Sequence, residues 1–366
     1  MKIALIGAGV DSIPSKKFGA IEMILWNYKR DLERLGHEVV IFNTQNLKEV
    51  STAINNGAFD FVELNYSEYV SFFSKHLEVP FCTVCHSGYI TNRKKWSIGY
   101  TAVFYDTMKS PGIIALSEDI RQLYIRNGHS GFLRVVRNGI DTEHFTLQEK
   151  GNDRAICLGR IEPRKRQAWL ANTVRDTVDL DFVGPIQDPT FKALARTQHK
   201  GYWMKDEVYK NLSQYSCLVL LSDGEAAPLV VPEALAAGLS IVVSKSAAAN
   251  LDEQLPFITV LPDDTSDPEV IAQSINDQIK NNTLYRAEIV AYAKHYFDNK
   301  AVVSDFMKVV EEFRSVPRPM NNARVPFKEM PLYLLSKCAL FVKSTLRSMR
   351  LLIGKTSAPA VQENAS

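Results

Sequence analysis

Cysteine is scarce in this chain and shows no sign of pairing. The 366 residues contain five cysteines, Cys82, Cys85, Cys157, Cys217 and Cys338, which are odd in number and scattered. This excludes a disulfide framework as the basis of the fold and predicts a reducing compartment.

Long apolar runs and an export signal are also missing. No uninterrupted apolar run reaches the roughly 18 residues that a membrane-spanning helix needs. The opening MKIALIGAGVDSIPSKK places Asp11 and Pro14 directly after a short apolar run, without a small-x-small cleavage pattern. This is typical of a first strand rather than a signal peptide. We therefore expect a cytoplasmic protein, either free or peripheral on the inner face of the membrane.

The charge shows no excess of either sign. Lysine and arginine number 43, aspartate and glutamate 41, and the net charge is +2. This balance gives no reason to expect nucleic acid as a partner. The content of 46% hydrophobic and 23% charged residues fits a soluble globular chain of two domains.

A metal or haem site is not expected either, although Cys82, Cys85 and His86 have the C-x-x-C-H spacing of c-type haem attachment. Haem attachment generally requires export. Strand periodicity also places Cys85 on the opposite face from Cys82 and His86, so the thiols cannot easily hold one metal. The cysteines are interpreted as small buried hydrophobes, and His86, at the end of the strand, is the candidate functional residue.

A complete dinucleotide-binding motif is absent. Gly7-Ala8-Gly9 follows the first strand, but Ser12 stands where the third glycine of G-x-G-x-x-G would be. The second strand ends in Asn43 and Thr44, without an acidic residue. A plain tight turn is therefore favoured over a dehydrogenase site.

The sequence does contain an alternation of short apolar strands and helices, with the first helix at about residues 20–35. The alternation of strands and helices begins again after the polar stretch 147–154. This second part has five candidate strands and helices near 164–176, 205–214, 229–237 and 268–280. The predicted fold class is α/β, with doubly wound domains at 1–150 and 151–290. Ligands of such sheets bind at the carboxyl ends of the strands, here in the cleft between the domains.

Four charged residues of the second domain lie at predicted strand ends or at a helix start. Arg160 and Lys165 follow one strand, and Glu225 and Glu233 flank a helix start that Pro228 signals. Singly they would be solvated loop charges or an exposed first-turn glutamate. Together they suit a nucleoside diphosphate sugar, since cations neutralise the diphosphate and carboxylates accept hydroxyl hydrogens.

Several segments, in order along the chain, resemble the retaining glycosyltransferases of family 4. The similarity covers about residues 1–313 and is carried by IPSKKFGAIEMILWNYKRDLERLGHEVVIF, RNGIDTEHF, LGRIEPRK and EAAPLVVPE. The last of these resembles the family's E-x7-E signature. The resemblance implies the GT-B architecture, in which two Rossmann-like domains face each other across a cleft.

The resemblance also implies roles for individual residues. It places Gly19 in the loop facing the donor phosphates, and a histidine matching His86 near the donor sugar. Since Pro228 lacks an N–H group, phosphate contacts from the helix start would come from Leu229 and Val230. The remaining implied contacts are Arg160 and Lys165 to the diphosphate, Glu233 to the ribose, Glu225 to the transferred sugar, and Trp203 beside the base or in ordinary packing.

The implied reaction is hexosyl transfer with retention and without a metal or other cofactor. The donor is a nucleotide diphosphate sugar, and the acceptor is a glycan or lipid-linked hydroxyl in cell-surface polysaccharide or glycolipid synthesis. No D-x-D follows a strand to hold a divalent ion, and Asp263-Asp264 lies in a turn-like stretch. A nucleotide-sugar epimerase of the same fold and a non-catalytic donor-binding relative remain alternatives.

The C-terminal part is predicted to leave the second domain. Residues 291–313 are expected to form a helix crossing back to the first domain, followed by a tail at 314–366. Within the tail, 331–355 mix leucines with five basic residues and contain no acidic one. This stretch is predicted either to contact an anionic membrane surface or to pack on the protein, and the final residues are expected to be disordered.

Overall fold

The computed structural model of the chain describes residues 1–15, 19–96, 99–316 and 324–342, with only the backbone of Lys94 and Trp96. It contains two six-stranded sheets in which all the paired strands are parallel. Helices connect the strands of each sheet. This confirms the prediction of an α/β chain with two doubly wound domains.

The first sheet has the strand order β2-β1-β3-β4-β5-β6. Its inner strands β3, β4 and β5 are buried throughout, as expected for a parallel sheet covered by helices on both faces. The elements of this domain are β1 (Lys2–Ile6), α1 (Ala20–Arg34), β2 (Glu38–Phe42), α2 (Leu47–Asn56), β3 (Phe61–Leu64), α3 (Val70–His76), β4 (Phe81–Val84), α4 (Arg93–Trp96), α5 (Gly99–Thr107), β5 (Gly112–Ala115), α6 (Glu118–Arg126) and β6 (Phe132–Val135).

The second sheet has the strand order β12-β11-β10-β7-β8-β9. Apolar residues of β10 and β11 are buried on both faces, in two clusters that lie on opposite sides of the sheet. The elements are β7 (Ala155–Leu158), α7 (Gln167–Thr173), β8 (Leu180–Val183), β9 (Thr197–His199), α8 (Lys205–Asn211), β10 (Cys217–Leu220), α9 (Val230–Ala236), β11 (Ser240–Ser244), β12 (Ile258–Leu261) and α10 (Pro268–Phe297).

Two features of this domain were not predicted from the sequence. The edge strand β9 is only three residues long, and two of them are exposed polar side chains, so it lacks an apolar pattern. Helix α10 continues to Phe297 instead of ending near residue 280. Buried Ile289 and Ala293 extend its apolar side through this additional length.

The chain then returns to the first domain through α11 (Asn299–Ser315). Asp298 separates the two helices and caps α11 by accepting a hydrogen bond from the backbone N–H of Lys300 at 2.9 Å. The ring of Phe306 lies 5.1 Å from that of Tyr28, and the ring of Phe313 lies 5.0 Å from that of Phe132. Helix α11 is therefore part of the first domain's core.

Residues 330–342 form a further helix against α5. Ser336 accepts a hydrogen bond from the Ala102 N–H at 2.8 Å and donates one to the Gly99 carbonyl at 2.7 Å. Lys337 pairs with Asp106 at 2.6 Å. Within the described ranges, no helix combines the length and apolarity needed to cross a membrane. The rest of the predicted membrane segment, 343–355, lies outside the described residues.

A buried glutamate interrupts the apolar interior of the first sheet. Glu63 on β3 is 3% exposed, and its Oε2 has no hydrogen-bond partner among the described residues. Burial raises the pKa of Glu63 to about 7. The folded protein therefore favours the neutral carboxylic acid over the carboxylate.

We expect Glu63→Gln to stabilise the protein at alkaline pH. With a pKa of about 7 when folded and 4.5 when unfolded, Glu63 favours folding fully below pH 4.5, and this contribution is lost as pH rises through 7. At pH 8 the variant should gain on the order of 3 kcal/mol in unfolding free energy over the wild type, with little difference near pH 5. Urea unfolding at both pH values measures this.

The exposed Glu78→Gln is the matched control and should show no such pH dependence. A Glu63→Gln variant that is less stable than the wild type at pH 8 would contradict the buried, neutral state of this carboxyl.

Candidate active site in the interdomain cleft

The carboxyl ends of strands from both sheets meet at one cleft. Its main cavity has a volume of about 720 Å³ and takes its walls from both domains. The first domain contributes Gly19 before α1, Asn65 after β3 and His86 after β4. The second domain contributes Arg160 after β7 and Glu225 after β10. Crevices of this kind at strand ends are the usual ligand sites of open α/β sheets.

A compact group of charges lies on the second domain's side of the cavity. The Nζ of Lys165 is 3.3 Å and the Nη1 of Arg164 is 3.1 Å from the same oxygen, Oε1 of Glu225. Arg164 also donates to Oε1 of Glu162 at 2.8 Å. These ion pairs compensate charges whose burial without a partner would cost free energy.

These cations decide the protonation state of Glu225. Burial by itself would raise the pKa of Glu225, but Lys165 and Arg164 lower it below its ordinary value. The side chain is therefore ionised at neutral pH. An ionised carboxylate has only acceptor sites, so a ligand meets it best with hydroxyl or N–H donors.

Arg160 is less constrained than its neighbours. Its side chain is 50% exposed, and its Nη1 is 3.9 Å from Oε2 of Glu162. The guanidinium borders the main cavity. Arg160 and Lys165 thus supply two cationic groups at the carboxyl end of β7, where an anionic ligand could be held.

A second, largely apolar cavity of about 210 Å³ adjoins the first, and Gly19 and Leu229 line both. Trp203, Val230 and Glu233 also line it. Glu233 is 9% exposed, unlike the solvated first-turn glutamate that was the alternative. The carboxylate forms an ion pair with Lys205.

Trp203 both lines this cavity and packs against the core. Its ring lies 6.2 Å from that of Tyr215, and it contacts the second domain's hydrophobic cluster. The two interpretations of Trp203, a neighbour of the base and a packing residue, are therefore compatible in space.

Gly19, directly before α1, lines the same cavity as Leu229 and Val230 at the start of α9. A Cβ atom at Gly19 would collide with the side chains of Glu22 and Ser15, so a larger residue here would need both side chains to move. Helix α9 begins at Val230 with Leu229 at its N-cap. The first N–H groups of a helix lack intrahelical partners. Leu229 lines both cavities and Val230 lines the apolar one.

His86 lies on the opposite wall. Its Nε2 is 2.8 Å from Oδ1 of Asn65. Burial lowers the pKa of His86 to about 4, so the imidazole is neutral at physiological pH. Two residues further, a Cβ atom at Gly88 would come within 2.9 Å of the Glu225 Cα. The histidine loop and the Glu225 loop are therefore in close contact.

Additional side chains connect the domains around this contact. Lys95 and Asn92 both bind the carboxylate of Asp223. Tyr89 donates to Glu162 at 3.4 Å, and the guanidinium of Arg164 lies 4.9 Å from the Tyr89 ring centre. The charged cluster is thus covered by the first domain.

The structure brings all nine candidate residues to these two cavities. Sequence reasoning missed Arg164, Tyr89, Asn65 and Lys205. Arg164 belongs to the basic run Arg164-Lys165-Arg166, and nothing in that run shows which cation is buried. The other three depend on contacts between distant parts of the chain, for which the sequence gives no local signal.

Among the described residues, no group of three histidine, cysteine, aspartate or glutamate side chains is arranged to hold a metal ion. Cys82 and Cys85 are buried thiols without a disulfide, and burial raises the pKa of each. They contribute to the first domain's hydrophobic cluster.

Comparison with known proteins connects this geometry to one family description. Residues 152–281 match the family model described as "Glycosyl transferases group 1". This range contains all the candidate residues of the second domain. A comparison with curated protein sequences gives no match.

Three solved structures illustrate the similarity in fold. Anabaena Alr3699/HepE in complex with UDP and glucose is 16% identical, with a TM-score of 0.66 over 85% of this chain and 100% of that one. Sucrose-phosphate synthase from Thermosynechococcus elongatus is 14% identical, with a TM-score of 0.65 over 85% and 98%. The lipopolysaccharide outer core galactosyltransferase WaaB is 15% identical, with a TM-score of 0.64 over 85% and 99%. These similarities show the GT-B architecture that the sequence predicts.

Proposed function

We propose that this protein is a retaining, metal-independent glycosyltransferase of family 4 that moves a hexosyl group from a nucleotide diphosphate sugar to an acceptor hydroxyl. The observation that carries the proposal is the ionised Glu225 held by Lys165 and Arg164 in a cleft whose adjoining cavity contains Glu233. The match of residues 152–281 to group 1 glycosyl transferases and the UDP and glucose bound by HepE support it.

The donor would span the two cavities. The nucleoside occupies the apolar cavity, with the base near Trp203 and the ribose hydroxyls donating to Glu233. The diphosphate lies against Arg160 and Lys165 and the N–H groups of Leu229 and Val230, beside Gly19. The sugar reaches the main cavity between Glu225 and His86, which share its lining.

Catalysis would rest on electrostatic stabilisation of the leaving group. As the bond between the sugar and the diphosphate breaks, negative charge develops on the phosphate that Arg160 and Lys165 face. Preorganised cations in an enclosed site are effective at this step. Because Glu225 is committed to cations and sugar hydroxyls, we assign the acceptor's proton to the departing phosphate, with retention of configuration.

The acceptor is proposed to be a glycan or a lipid-linked sugar, as in cell-surface polysaccharide or glycolipid synthesis. A hydroxyl acceptor would enter the main cavity from the side of the first domain, where His86 and Asn65 lie. Its identity can be sought with detergent-solubilised lipid-linked glycans once a donor is known.

A panel of UDP-, GDP-, ADP- and dTDP-sugars, incubated with the full chain and candidate acceptors in EDTA, tests the activity. We expect one donor to be consumed with product of retained configuration. Lys165→Ala should lower kcat/KM by about 100-fold or more, since it removes one charge that stabilises the transition state. Glu225→Gln should lower it comparably, because the amide presents an N–H donor to the sugar.

Lys192→Ala and Glu288→Ala are the matched controls at exposed positions of the same domain, and both should retain kcat/KM within about twofold. Unchanged transfer in Lys165→Ala and Glu225→Gln would place the chemistry elsewhere. Isomerisation of a donor without any acceptor would identify an epimerase instead, and binding without turnover a non-catalytic protein.

We further propose that the protein is cytoplasmic and peripheral on the inner face of the membrane. The helix at 330–342 is fastened to α5 through Ser336 and Lys337, while Leu334 and Leu335 are each 56% exposed. The sequence from 331 to 355 is basic and contains no acidic residue. Exposed leucines beside cations are typical of helices that lie on anionic membranes.

Cosedimentation with vesicles tests this. The full chain should bind vesicles that contain phosphatidylglycerol and not vesicles of phosphatidylcholine alone, and binding should weaken with salt. Replacing Leu334 and Leu335 by serine should reduce the affinity by roughly tenfold or more. Leu284→Ser, at an exposed position of α10, should have no effect, and absence of binding to the anionic vesicles would contradict the proposal.

A further inference from the structure

His86 and Asn65 form a hydrogen-bonded pair in the wall of the main cavity. The two residues follow the neighbouring strands β4 and β3, and His86 Nε2 is 2.8 Å from Asn65 Oδ1. Asn65 is 3% exposed, and its backbone N–H donates to the Ile6 carbonyl at 2.9 Å. The amide oxygen is therefore presented from a rigid position at the end of the sheet.

We propose that Asn65 fixes the tautomer of His86, with the ring proton on Nε2, and so leaves Nδ1 as a hydrogen-bond acceptor for a hydroxyl of the transferred sugar. The tautomer follows from the pair itself, while the assignment of the sugar rests on the proposed function. Asn65 is a positioning residue in this account, because it acts through His86.

The first step follows from the chemistry of the two groups. An amide oxygen can only accept a hydrogen bond, so the nitrogen facing it must donate. A neutral imidazole carries a single N–H group, and the hydrogen bond made by one nitrogen decides the state of the other. Since burial keeps His86 neutral, a proton on Nε2 leaves none on Nδ1.

The second step concerns the other ring nitrogen of His86, Nδ1. His86 Nδ1 is buried and has no hydrogen-bond partner among the residues that the structure describes. The side chain of Asn65 also interacts with the Glu63 carboxyl group. Buried polar atoms of native proteins are normally paired. His86 lines the main cavity, so a ligand there can supply a hydroxyl to Nδ1.

The position of the pair suits the transferred sugar. The chain two residues beyond His86 is in van der Waals proximity to the Glu225 backbone, and Glu225 lines the same cavity. A sugar between the two would donate one hydroxyl to the carboxylate and another to the imidazole. His86 would then bind and orient the sugar, and would not protonate the departing phosphate.

Nitrogen NMR of the full chain tests the tautomer without relying on activity. In protein with 15N-labelled histidine, long-range 1H–15N spectra distinguish a protonated ring nitrogen from a bare one. The His86 signals are identified by their loss in His86→Gln. We expect the wild type at neutral pH to carry the proton on Nε2.

Substitutions of Asn65 test its role in setting the tautomer. Asn65→Leu removes the acceptor and should give a mixture of tautomers, whereas Asn65→Asp keeps an acceptor oxygen and should retain the proton on Nε2. Asn276→Leu, at an exposed asparagine of the second domain, should leave the His86 spectrum unchanged. A wild type with the proton on Nδ1, or an Asn65→Leu protein with an unchanged tautomer, would overturn the proposal.

Kinetics with the donor identified from the panel test the contact with the sugar. Asn65→Leu should lower kcat about threefold to tenfold, the effect of one hydrogen bond, with little change in the affinity for the free nucleoside diphosphate. Asn65→Asp should recover most of the loss. Donor sugar should also shift the Nδ1 resonance of His86, and no shift during active transfer would overturn the sugar contact. If no donor is turned over, the proposed function fails while the tautomer result stands.

Discussion

The arrangement of the cleft depends on the ion pairs of Glu225 with Lys165 and Arg164. A carboxylate at this depth is stable only with its cations beside it, and those cations come from the turn after β7 while Glu225 follows β10. The pairs therefore bring two loops of the second sheet together. The first domain completes the enclosure, since Tyr89 contacts Arg164 and Glu162 and glycine at position 88 permits close approach to Glu225.

The position of these ion pairs at strand ends also relates the fold to the proposed chemistry. Parallel strands place their carboxyl ends at one edge, so charged residues that are distant in the sequence converge there without special local structure. The return of α11 to the first domain, with Phe306 and Phe313 in its core, connects the two domains a second time. Under the proposed function, cations already positioned beside Glu225 would need little reorganisation when a donor binds, which is the condition under which electrostatic catalysis is most effective.

Most of the architecture was predictable from the sequence, because buried parallel strands form short apolar runs and α1 has a clear amphipathic pattern. Strand β9 was not, because an edge strand of three residues carries no such pattern. Four candidates, Arg160, Lys165, Glu225 and Glu233, could be named from strand ends and a helix start, and the others from the family resemblance. The structure places all of them on two adjoining cavities. Tertiary packing determines three further features, which spacing along the chain does not encode. These are the pairing of His86 with Asn65, the pairing of Glu233 with Lys205, and the burial of Arg164.

Arg160 and Lys165, at the end of β7, are proposed to bind the diphosphate of the donor. Titration calorimetry in EDTA, with nucleoside diphosphates and monophosphates of the same bases, tests this binding most directly. The account predicts that, for the preferred base, the diphosphate binds at least about tenfold more tightly than the monophosphate, a difference of about 1.4 kcal/mol, and that Lys165→Ala removes this difference. Equal affinities in the wild type, or a preference that persists in Lys165→Ala, would contradict the account.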